Sequence, residues 1–291
     1  MNRQRYLRTL KRVAVIVLLS ILGGCMLRQF EHSQVYYPQR QLEASARELR
    51  RPFEDVRFKT SDGVELHGWF FPANTNSPRA DLAFLICHGN AGNLSHRLGL
   101  CEGLLGTGAS VFVFDYRGYG QSEGRPGEEG TYRDAQAAHA WLRQKGIRGE
   151  HIIVFGESLG GGVASELALR ETVGGIVLQS TFTSIPDIGA ELFPWLPVRW
   201  ISTIKYDTHA KLPRIKTPVL VMHSREDDLI RFHHAEKNFK TANEPKYFCE
   251  LRGSHNDAAW ENDDFCEAIE KLLGVVTERA EKASPPRSSE K

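Results

Sequence analysis

The segment Ile152-Ile153-Val154-Phe155-Gly156-Glu157-Ser158-Leu159-Gly160-Gly161-Gly162 places the pattern G-x-S-x-G directly after an apolar run. Four consecutive apolar residues are typical of a strand that is buried on both faces, and the glycines lead into a helical pattern. Between a strand and a helix, the serine of this pattern lies on a strained turn that lifts its Oγ above the sheet. The segment therefore predicts Ser158 as a nucleophile, against the simpler alternative of a glycine-rich turn without chemistry.

Strand and helix patterns alternate on both sides of this segment. Further apolar runs cover 82–87, 110–114, 175–178 and 219–222, and a β-rich run covers 246–251. Helical spacing is found at 131–145, 158–170, 234–241 and 264–278. Two earlier β-rich runs, 55–60 and 64–71, flank the turn Ser61-Asp62-Gly63 and predict a hairpin. A hairpin followed by repeated strand-helix units predicts a mostly parallel central sheet with helices on both faces.

The chain has 291 residues, of which 41% are hydrophobic, and this is enough for one substantial core. We expect one domain over 53–275, preceded by a tether and lead-in over 25–52. Residues 179–216 leave the strand-helix rhythm, which predicts a short lid insertion at about 183–212. Ser, Pro, Lys and Glu dominate the end of the chain, so we expect a disordered tail over 276–291.

The first 24 residues have the form of an export signal. Five cations without any acid precede an apolar run from Val13 to Leu22. The following Leu22-Gly23-Gly24-Cys25 resembles the lipobox of bacterial lipoproteins, which implies cleavage before Cys25 and lipid attachment to it. The alternative is an uncleaved membrane anchor, although the uncharged stretch 13–27 is shorter than the roughly 20 residues that span a bilayer. Either case predicts a domain tethered to a bacterial membrane on its extracytoplasmic, periplasmic side.

A serine nucleophile needs a histidine to take its proton and an acid to orient that histidine. When the serine follows a strand in this way, the acid comes next along the chain and the histidine last. Carboxylates follow the run 219–222 at Glu226, Asp227 and Asp228, and His255 follows the run 246–251. Both groups stand at strand ends, where such a triad would be assembled.

Three motifs together resemble the α/β-hydrolase superfamily. They are the Ser158 turn, the loop Asp115-Tyr116-Arg117-Gly118-Tyr119-Gly120-Gln121-Ser122-Glu123-Gly124 and the loop His88-Gly89-Asn90-Ala91-Gly92-Asn93. The chain is most similar to the short-lidded serine hydrolases that include membrane-tethered depalmitoylases and prolyl-iminopeptidase-like enzymes, over roughly 36–273. This resemblance implies Asp227 as the acid and His255 as the base. Asp228 and Glu226 remain alternative acids, and His88 is a rival base.

The resemblance also implies an oxyanion hole formed by the backbone N–H groups of Asn90 and Leu159. Within the expected lid, Phe193, Trp195, Leu196 and Trp200 are candidates for an apolar wall over the serine. The alternative is that these side chains only bury the core of the lid itself. The adjacent His233 and His234 are interpreted as the start of a solvated helix, so we expect no metal and no cofactor.

The expected function is hydrolysis of carboxylic esters or thioesters with small-molecule or lipid-like acyl groups near a membrane. A serine peptidase or amidase would use the same residues, and a non-catalytic binding protein with this scaffold is a more remote alternative. A net charge of +1 without a basic stripe argues against a nucleic-acid partner. The oligomeric state is not predicted.

Overall fold

The computed structural model describes residues 3–256 and 263–283. Within this part the strands are β1 (Tyr37–Pro38), β2 (Glu54–Lys59), β3 (Glu65–Phe71), β4 (Ala83–Cys87), β5 (Ala91–Gly92), β6 (Ser110–Phe114), β7 (Ile152–Glu157), β8 (Gly175–Gln179), β9 (Val219–Ser224) and β10 (Lys246–Leu251). The α-helices are α1 (Arg3–Val35), α2 (Leu98–Gly106), α3 (Glu128–Gln144), α4 (Leu159–Arg170), α5 (Ile185–Leu192), α6 (Val198–Ile201), α7 (Thr208–Lys211), α8 (His233–Thr241) and α9 (Asp263–Ala283).

Eight strands form one sheet in the order β10-β9-β8-β7-β4-β6-β3-β2. The strands β10, β9, β8, β7, β4 and β6 pair in parallel, whereas β3 runs antiparallel to both β6 and β2. The predicted hairpin is therefore β2-β3, and the predicted mostly parallel sheet is confirmed. Every residue of β4, β6 and β8 is buried, which explains their continuous apolar sequences.

Two hydrophobic clusters cover the two faces of this sheet. One includes Phe112, Val154 and residues of α3 and α4, and the other includes Phe155, Leu220 and residues of α2 and α9. Because β10, β9, β8, β7, β4 and β6 run parallel, their carboxyl ends lie along one edge of the sheet, where functional groups of such sheets are usually found. The α/β-hydrolase architecture predicted from the sequence is confirmed.

One helix crosses the boundary between the expected signal (1–24) and the expected tether and lead-in (25–52). A single helix, α1, runs from Arg3 to Val35, so Cys25 lies inside it. Val35 and Tyr36 are buried, and β1 pairs in parallel with β5. The segment 27–52 is therefore packed onto the domain. Some of its apolar side chains are buried against the domain, and the backbone of β1 pairs with that of β5. Among the described helices, none combines the length and the apolarity that a bilayer span requires.

The C-terminal end of the domain lies later than predicted. Helix α9 continues to Ala283, whereas the tail was expected to begin at residue 276. Val276 and Ala280 are buried one turn apart on the same face of α9, so the helix still has apolar contacts to make there. The remainder of the expected tail, 284–291, lies outside the described residues.

The expected lid lies between β8 and β9. It contains the short helices α5, α6 and α7, and its helical residues span 185–211. Ser184 caps α5 through its side-chain oxygen, which accepts a hydrogen bond from the N–H of Asp187, and Pro186 stands in the first turn. The lid is attached to α3 by Glu128, whose carboxylate accepts hydrogen bonds from the N–H groups of Lys205 and Tyr206 at 2.7 Å each.

Candidate active site

Ser158 lies on the predicted turn between β7 and α4. Its φ of 51° and ψ of −113° are rare for a residue with a side chain, and strain of this kind is found where a side chain has to be presented for chemistry. The glycines beside it are required by space. A Cβ on Gly156 would lie 2.6 Å from the carbonyl oxygen of Gly160, and a Cβ on Gly160 would clash with the carbonyl oxygen of Cys87.

Three predicted residues from distant parts of the chain meet at this turn. Nε2 of His255 lies 3.1 Å from Oγ of Ser158, and Nδ1 of His255 lies 2.8 Å from Oδ2 of Asp227. With the proton of the neutral imidazole on Nδ1, the ring donates to the carboxylate and offers Nε2 as an acceptor for the serine proton. This is the arrangement that general-base activation of a serine requires.

The three consecutive acids after β9 have separate contacts. Asp227 binds the imidazole of His255, whereas Oδ1 of Asp228 accepts a hydrogen bond from the backbone N–H of His255 at 3.1 Å. Glu226 accepts one from the N–H of Gly253 at 3.0 Å. Asp228 and Glu226 therefore hold the loop that carries His255, and of the three acids Asp227 is the one placed to orient its ring.

Asp227 is buried but well supplied with donors. Burial raises its pKa, but hydrogen bonds from His223 and His255 and from the N–H of Ile230 outweigh burial and hold the pKa well below its usual range. Its Oδ1 also accepts from the N–H of Leu229 at 3.0 Å. The carboxylate is therefore ionised at neutral pH and can stabilise an imidazolium.

His88, the rival base, is buried away from the serine. Its Nδ1 donates to the carbonyl oxygen of Gly89 at 2.7 Å, and its Nε2 lies 3.5 Å from Oδ1 of Asp115. Burial lowers its pKa to about 3 and raises the pKa of Asp115 to about 7. His88 is thus a neutral ring whose hydrogen bond stabilises the 88–93 loop at Gly89.

The two predicted oxyanion donors line the same cavity as Ser158. Leu159 is the first residue of α4, and the first N–H groups of a helix have no acceptor within the helix. Asn90 is held by its other groups, since its side chain donates to the carbonyl oxygen of Val35 at 3.1 Å and its carbonyl oxygen accepts from the hydroxyl of Tyr119 at 2.7 Å.

A cavity of about 240 Å³ opens on Ser158, and most of its wall is apolar. The lid contributes Phe193 and Leu196, as predicted, together with Ile188 and Ile201. The side of the cavity next to the 225–231 loop is formed by Leu229 and Ile230. Such a surface suits an aliphatic group attached to the reacting carbonyl.

Two of the predicted lid contacts are wrong. Trp195 is 73% exposed and Trp200 is 90% exposed, and both lie outside the cavity lining. Trp195 lies between α5 and α6 and Trp200 lies in the four-residue helix α6, and composition alone does not predict which side of such short elements faces the serine. The rings of Trp195 and Phe193 instead meet in a T-shaped arrangement, with centroids 6.3 Å apart.

One group of possible metal ligands occurs among the described residues, formed by Glu191, His233 and His234. Its hydrogen bonds do not suit a metal. The N–H of Thr183 donates to Nδ1 of His234 at 3.1 Å, so the ring proton is on Nε2, the nitrogen that faces Glu191. A histidine ligand needs a free lone pair on the metal-facing nitrogen and usually donates through the other one.

Sequence reasoning missed two parts of the site. One is α1, which contributes Leu27, Phe30, Gln34 and Val35 to the cavity. The sequence predicts a tether and lead-in over residues 25–52 and indicates no part for them in the site. The other is His223, whose Nε2 lies 3.2 Å from Oδ2 of Asp227. Its position four residues before the acid was visible in the sequence, but its contact was not.

Comparisons with known proteins agree with this architecture. A family model described as the alpha/beta hydrolase fold matches residues 83–205. The chain is 37% identical to the uncharacterized protein Rv2307c of Mycobacterium tuberculosis over 252 residues, which is 86% of this chain and 89% of that protein. It is 30% identical to the alpha/beta hydrolase domain-containing protein WAV2 of Arabidopsis thaliana, covering 76% of this chain and 79% of that protein.

Among solved structures, the chain is similar to the esterase Pf2001 of Pyrococcus furiosus. The TM-score is 0.68 at 21% sequence identity, and the match covers 84% of this chain and 98% of the esterase. This likeness concerns the fold. The match to WAV2 and the family model agree with the sheet order and the Ser158 turn. The chain belongs to the α/β-hydrolase family.

Proposed function

We propose that this protein is a serine hydrolase that cleaves carboxylic esters or thioesters through an acyl-enzyme on Ser158. The observation that carries the proposal is the position of Ser158 Oγ, 3.1 Å from Nε2 of His255 and beside an apolar cavity. A serine activated in this way attacks acyl carbonyls, and the cavity is suited to the acyl group.

The reaction begins when the Oγ of Ser158 attacks the carbonyl carbon and its proton passes to Nε2 of His255. The oxygen of the tetrahedral intermediate becomes negative and accepts hydrogen bonds from the N–H groups of Asn90 and Leu159. The carboxylate of Asp227 stabilises the imidazolium. His255 then gives the proton to the departing alcohol or thiol, and the acyl group remains on Ser158 as an ester.

Water completes the cycle by the same steps. His255 takes a proton from water, the hydroxide attacks the acyl-enzyme, and the free acid leaves as Ser158 recovers its proton. The described residues supply every proton transfer in this scheme, so no cofactor enters the proposal.

The natural substrate in this proposal is an acyl or lipid-like ester at a membrane. The support is the apolar lining of the cavity beside Ser158, which suits an aliphatic acyl group. We also propose that the mature chain begins at a lipid-modified Cys25, which would hold the cavity close to the bilayer on the extracytoplasmic side. Mass spectrometry of the membrane-bound protein from a bacterial host tests this. An unmodified Met1 terminus would contradict it.

The proposed activity is tested with matched esters, thioesters and amides that share one acyl group. We expect ester and thioester turnover in the parent protein and a loss of about 10⁶-fold in kcat in Ser158→Ala, because triad members act as a unit. Ser165→Ala is the matched control, since Ser165 lies in α4 and its hydroxyl donates to the carbonyl oxygen of Gly162.

Each result of this panel separates one alternative. Faster cleavage of aminoacyl amides than of any ester would favour a peptidase. Transfer of the acyl group to an added alcohol in preference to water would favour an acyltransferase. Absence of turnover together with failure of a fluorophosphonate to label Ser158 would favour a binding protein.

A further inference from the structure

The last turns of α1, residues 27–35, form part of the wall of the cavity that opens on Ser158. Leu27, Phe30 and Val35 contribute apolar surface to the lining. The ring of Phe30 meets the ring of Phe193 from the lid edge-on, with centroids 6.1 Å apart. The helix and the lid therefore enclose the cavity together, and either one alone leaves it open on one side.

This segment is anchored beside the catalytic residues. The carbonyl oxygen of Val35 accepts a hydrogen bond from Nδ2 of Asn90, the residue whose own N–H is a proposed oxyanion donor. Nε2 of His32 donates to the carbonyl oxygen of Pro126 at 2.8 Å. Tyr36 follows at once, buried, with its hydroxyl 3.0 Å from that of Tyr206. The end of α1 is thus fixed in place relative to Ser158.

Glu31 joins α1 to the lid. Its Oε1 accepts hydrogen bonds from the hydroxyl of Ser202 at 2.6 Å and from the N–H of Ile204 at 3.1 Å, and its Oε2 accepts from the hydroxyl of Thr203 at 2.6 Å. The N–H of Thr203 lies 2.8 Å from Oε1. Partial burial raises the pKa of Glu31, but these donors outweigh it and lower the pKa. An ionised carboxylate with this many donors is a strong local tie.

We propose that residues 27–35 of α1 belong to the acyl-binding site and determine its preference for acyl-chain length. In this proposal Leu27 and Phe30 contact the chain, and Glu31 is a positioning residue that holds the lid against them. The inference rests on the proposed function, because it names the wall that recognises the acyl part of the substrate.

The position of Cys25 is compatible with this role. A chain cleaved before Cys25 would begin two residues before Leu27 and would keep the whole wall. A protein shortened to residue 53 would lose the wall, Glu31 and the contact of Val35 with Asn90. The proposal therefore concerns a protein that retains residues 27–35. The experiments use the full-length chain, which contains them whether or not it is cleaved before Cys25.

The first experiment compares Phe30→Ala with the parent protein on p-nitrophenyl acetate and p-nitrophenyl octanoate. Each methylene that is no longer buried lowers kcat/KM about fourfold. We expect the octanoate-to-acetate ratio of kcat/KM to fall about tenfold, which corresponds to one or two lost methylene contacts. Leu27→Gln repeats the test at a second lining side chain, which is 37% exposed.

Ser33→Ala is the matched control on the same helix. Ser33 is exposed, and its hydroxyl donates to the carbonyl oxygen of Phe30 within the helix. The control should retain the parent ratio. If Phe30→Ala and Leu27→Gln both retain it as well, with melting temperatures like that of the control, α1 is not part of the acyl site.

A second experiment tests Glu31 through its partner. Glu31→Gln should raise KM for the octanoate about tenfold with a smaller change in kcat, because the lid loses a hydrogen bond to a charged group. Thr203→Val removes a donor from the same contact. Since the two side chains share one interaction, the double variant should lose less than the product of the two single effects. Fully multiplicative effects would contradict the proposed role of Glu31.

Binding of decanoate to a Ser158→Ala protein separates this inference from the proposed function, because no turnover is needed. Calorimetry should show decanoate binding that is weakened about tenfold by adding Phe30→Ala and unchanged by adding Ser33→Ala. If Phe30→Ala weakens decanoate binding but the parent protein cleaves no ester, the acyl-binding role of residues 27–35 is supported and the proposed hydrolase activity is refuted. If the parent protein cleaves esters but Phe30→Ala leaves decanoate binding unchanged, the hydrolase activity is supported and the acyl-binding role of residues 27–35 is refuted.

Discussion

Oδ2 of Asp227 lies 3.2 Å from Nε2 of His223 and 2.8 Å from Nδ1 of His255, so one carboxylate oxygen faces two histidines. His223 is the penultimate residue of the buried strand β9 and is fully buried, and its Nε2 also lies 2.7 Å from the carbonyl oxygen of Ile230. It therefore ties the acid to the strand and to the following loop. His223 is a positioning residue in this arrangement, since it does not touch the serine.

Replacement of His223 should lower kcat more than it raises KM. His223→Phe removes the second donor to Asp227, and the loss of a hydrogen bond to a charged group corresponds to about tenfold in rate. His223→Gln retains an N–H donor and should recover most of the loss. Steady-state kinetics on a single ester checks this, and equal kinetics of His223→Phe and the parent would show that Asp227 needs no second partner.

The three neighbouring acids should differ sharply when each is made neutral. Asp227→Asn should lower kcat by about 10⁴-fold, as expected when the acid of a triad no longer holds the correct tautomer of its histidine. Asp228→Asn and Glu226→Gln each change one hydrogen bond to the backbone of the His255 loop and should cost less than tenfold. Kinetics of the three variants measure this difference. A comparable loss in Asp228→Asn would question the choice of acid.

The aromatic side chains of the lid should separate into two groups. Phe193 lines the cavity, so Phe193→Ala should lower the octanoate-to-acetate ratio of kcat/KM about tenfold through lost methylene burial. Trp200 is exposed and outside the lining, so Trp200→Ala should retain the parent ratio toward soluble esters. A chain-length series of p-nitrophenyl esters is the measurement. A ratio that responds to Trp200 and not to Phe193 would mean that the lid presents its other side to the substrate.

Asp115 should make the protein less stable as pH rises toward neutrality. Burial raises its pKa to about 7 from an unfolded value of 3.8, so the native state holds this proton more tightly than the unfolded chain. The resulting stabilisation is complete below pH 3.8 and is lost as pH rises through 7, by about 4 kcal/mol in all. Asp115→Asn keeps the acceptor for the N–H of Leu94 and cannot ionise.

Urea unfolding at pH 5 and pH 8 measures this effect. The free energy of unfolding should fall between these two pH values by less in Asp115→Asn than in the parent. Asp263→Asn, on the exposed first turn of α9, is the control and should follow the parent. Parallel pH profiles of parent and Asp115→Asn would show that Asp115 is ionised in the folded protein.

The order of strands and helices was readable from the sequence. Buried parallel strands require continuous apolar runs, and β4, β6, β7, β8 and β9 have them at nearly the predicted positions. The G-x-S-x-G pattern also predicts the tight turn at Ser158, because Gly156 and Gly160 allow backbone contacts that a Cβ would obstruct. These features are local, so residue types near one another along the chain suffice to predict them.

The choice among candidate residues depended on distances that span the chain. Glu226, Asp227 and Asp228 are adjacent carboxylates that the sequence cannot rank. In the folded chain each has a different partner in the loop that carries His255. The catalytic roles that follow remain predictions. Likewise, the exposed Trp195 and Trp200 and the lining Phe193 have similar side chains, and only the packing of the lid separates them.

Local sequence patterns suffice to predict the sheet, the strained serine turn and the positions of its possible partners along the chain, because backbone geometry and burial act over a few residues. The tertiary structure alone decided that α1 forms part of the cavity wall, since the contact of Glu31 with residues 202–204 joins segments about 170 positions apart. No periodic pattern encodes such a contact. It arises where a carboxylate on one element meets several unpaired donors on another, and that meeting exists only in the folded chain.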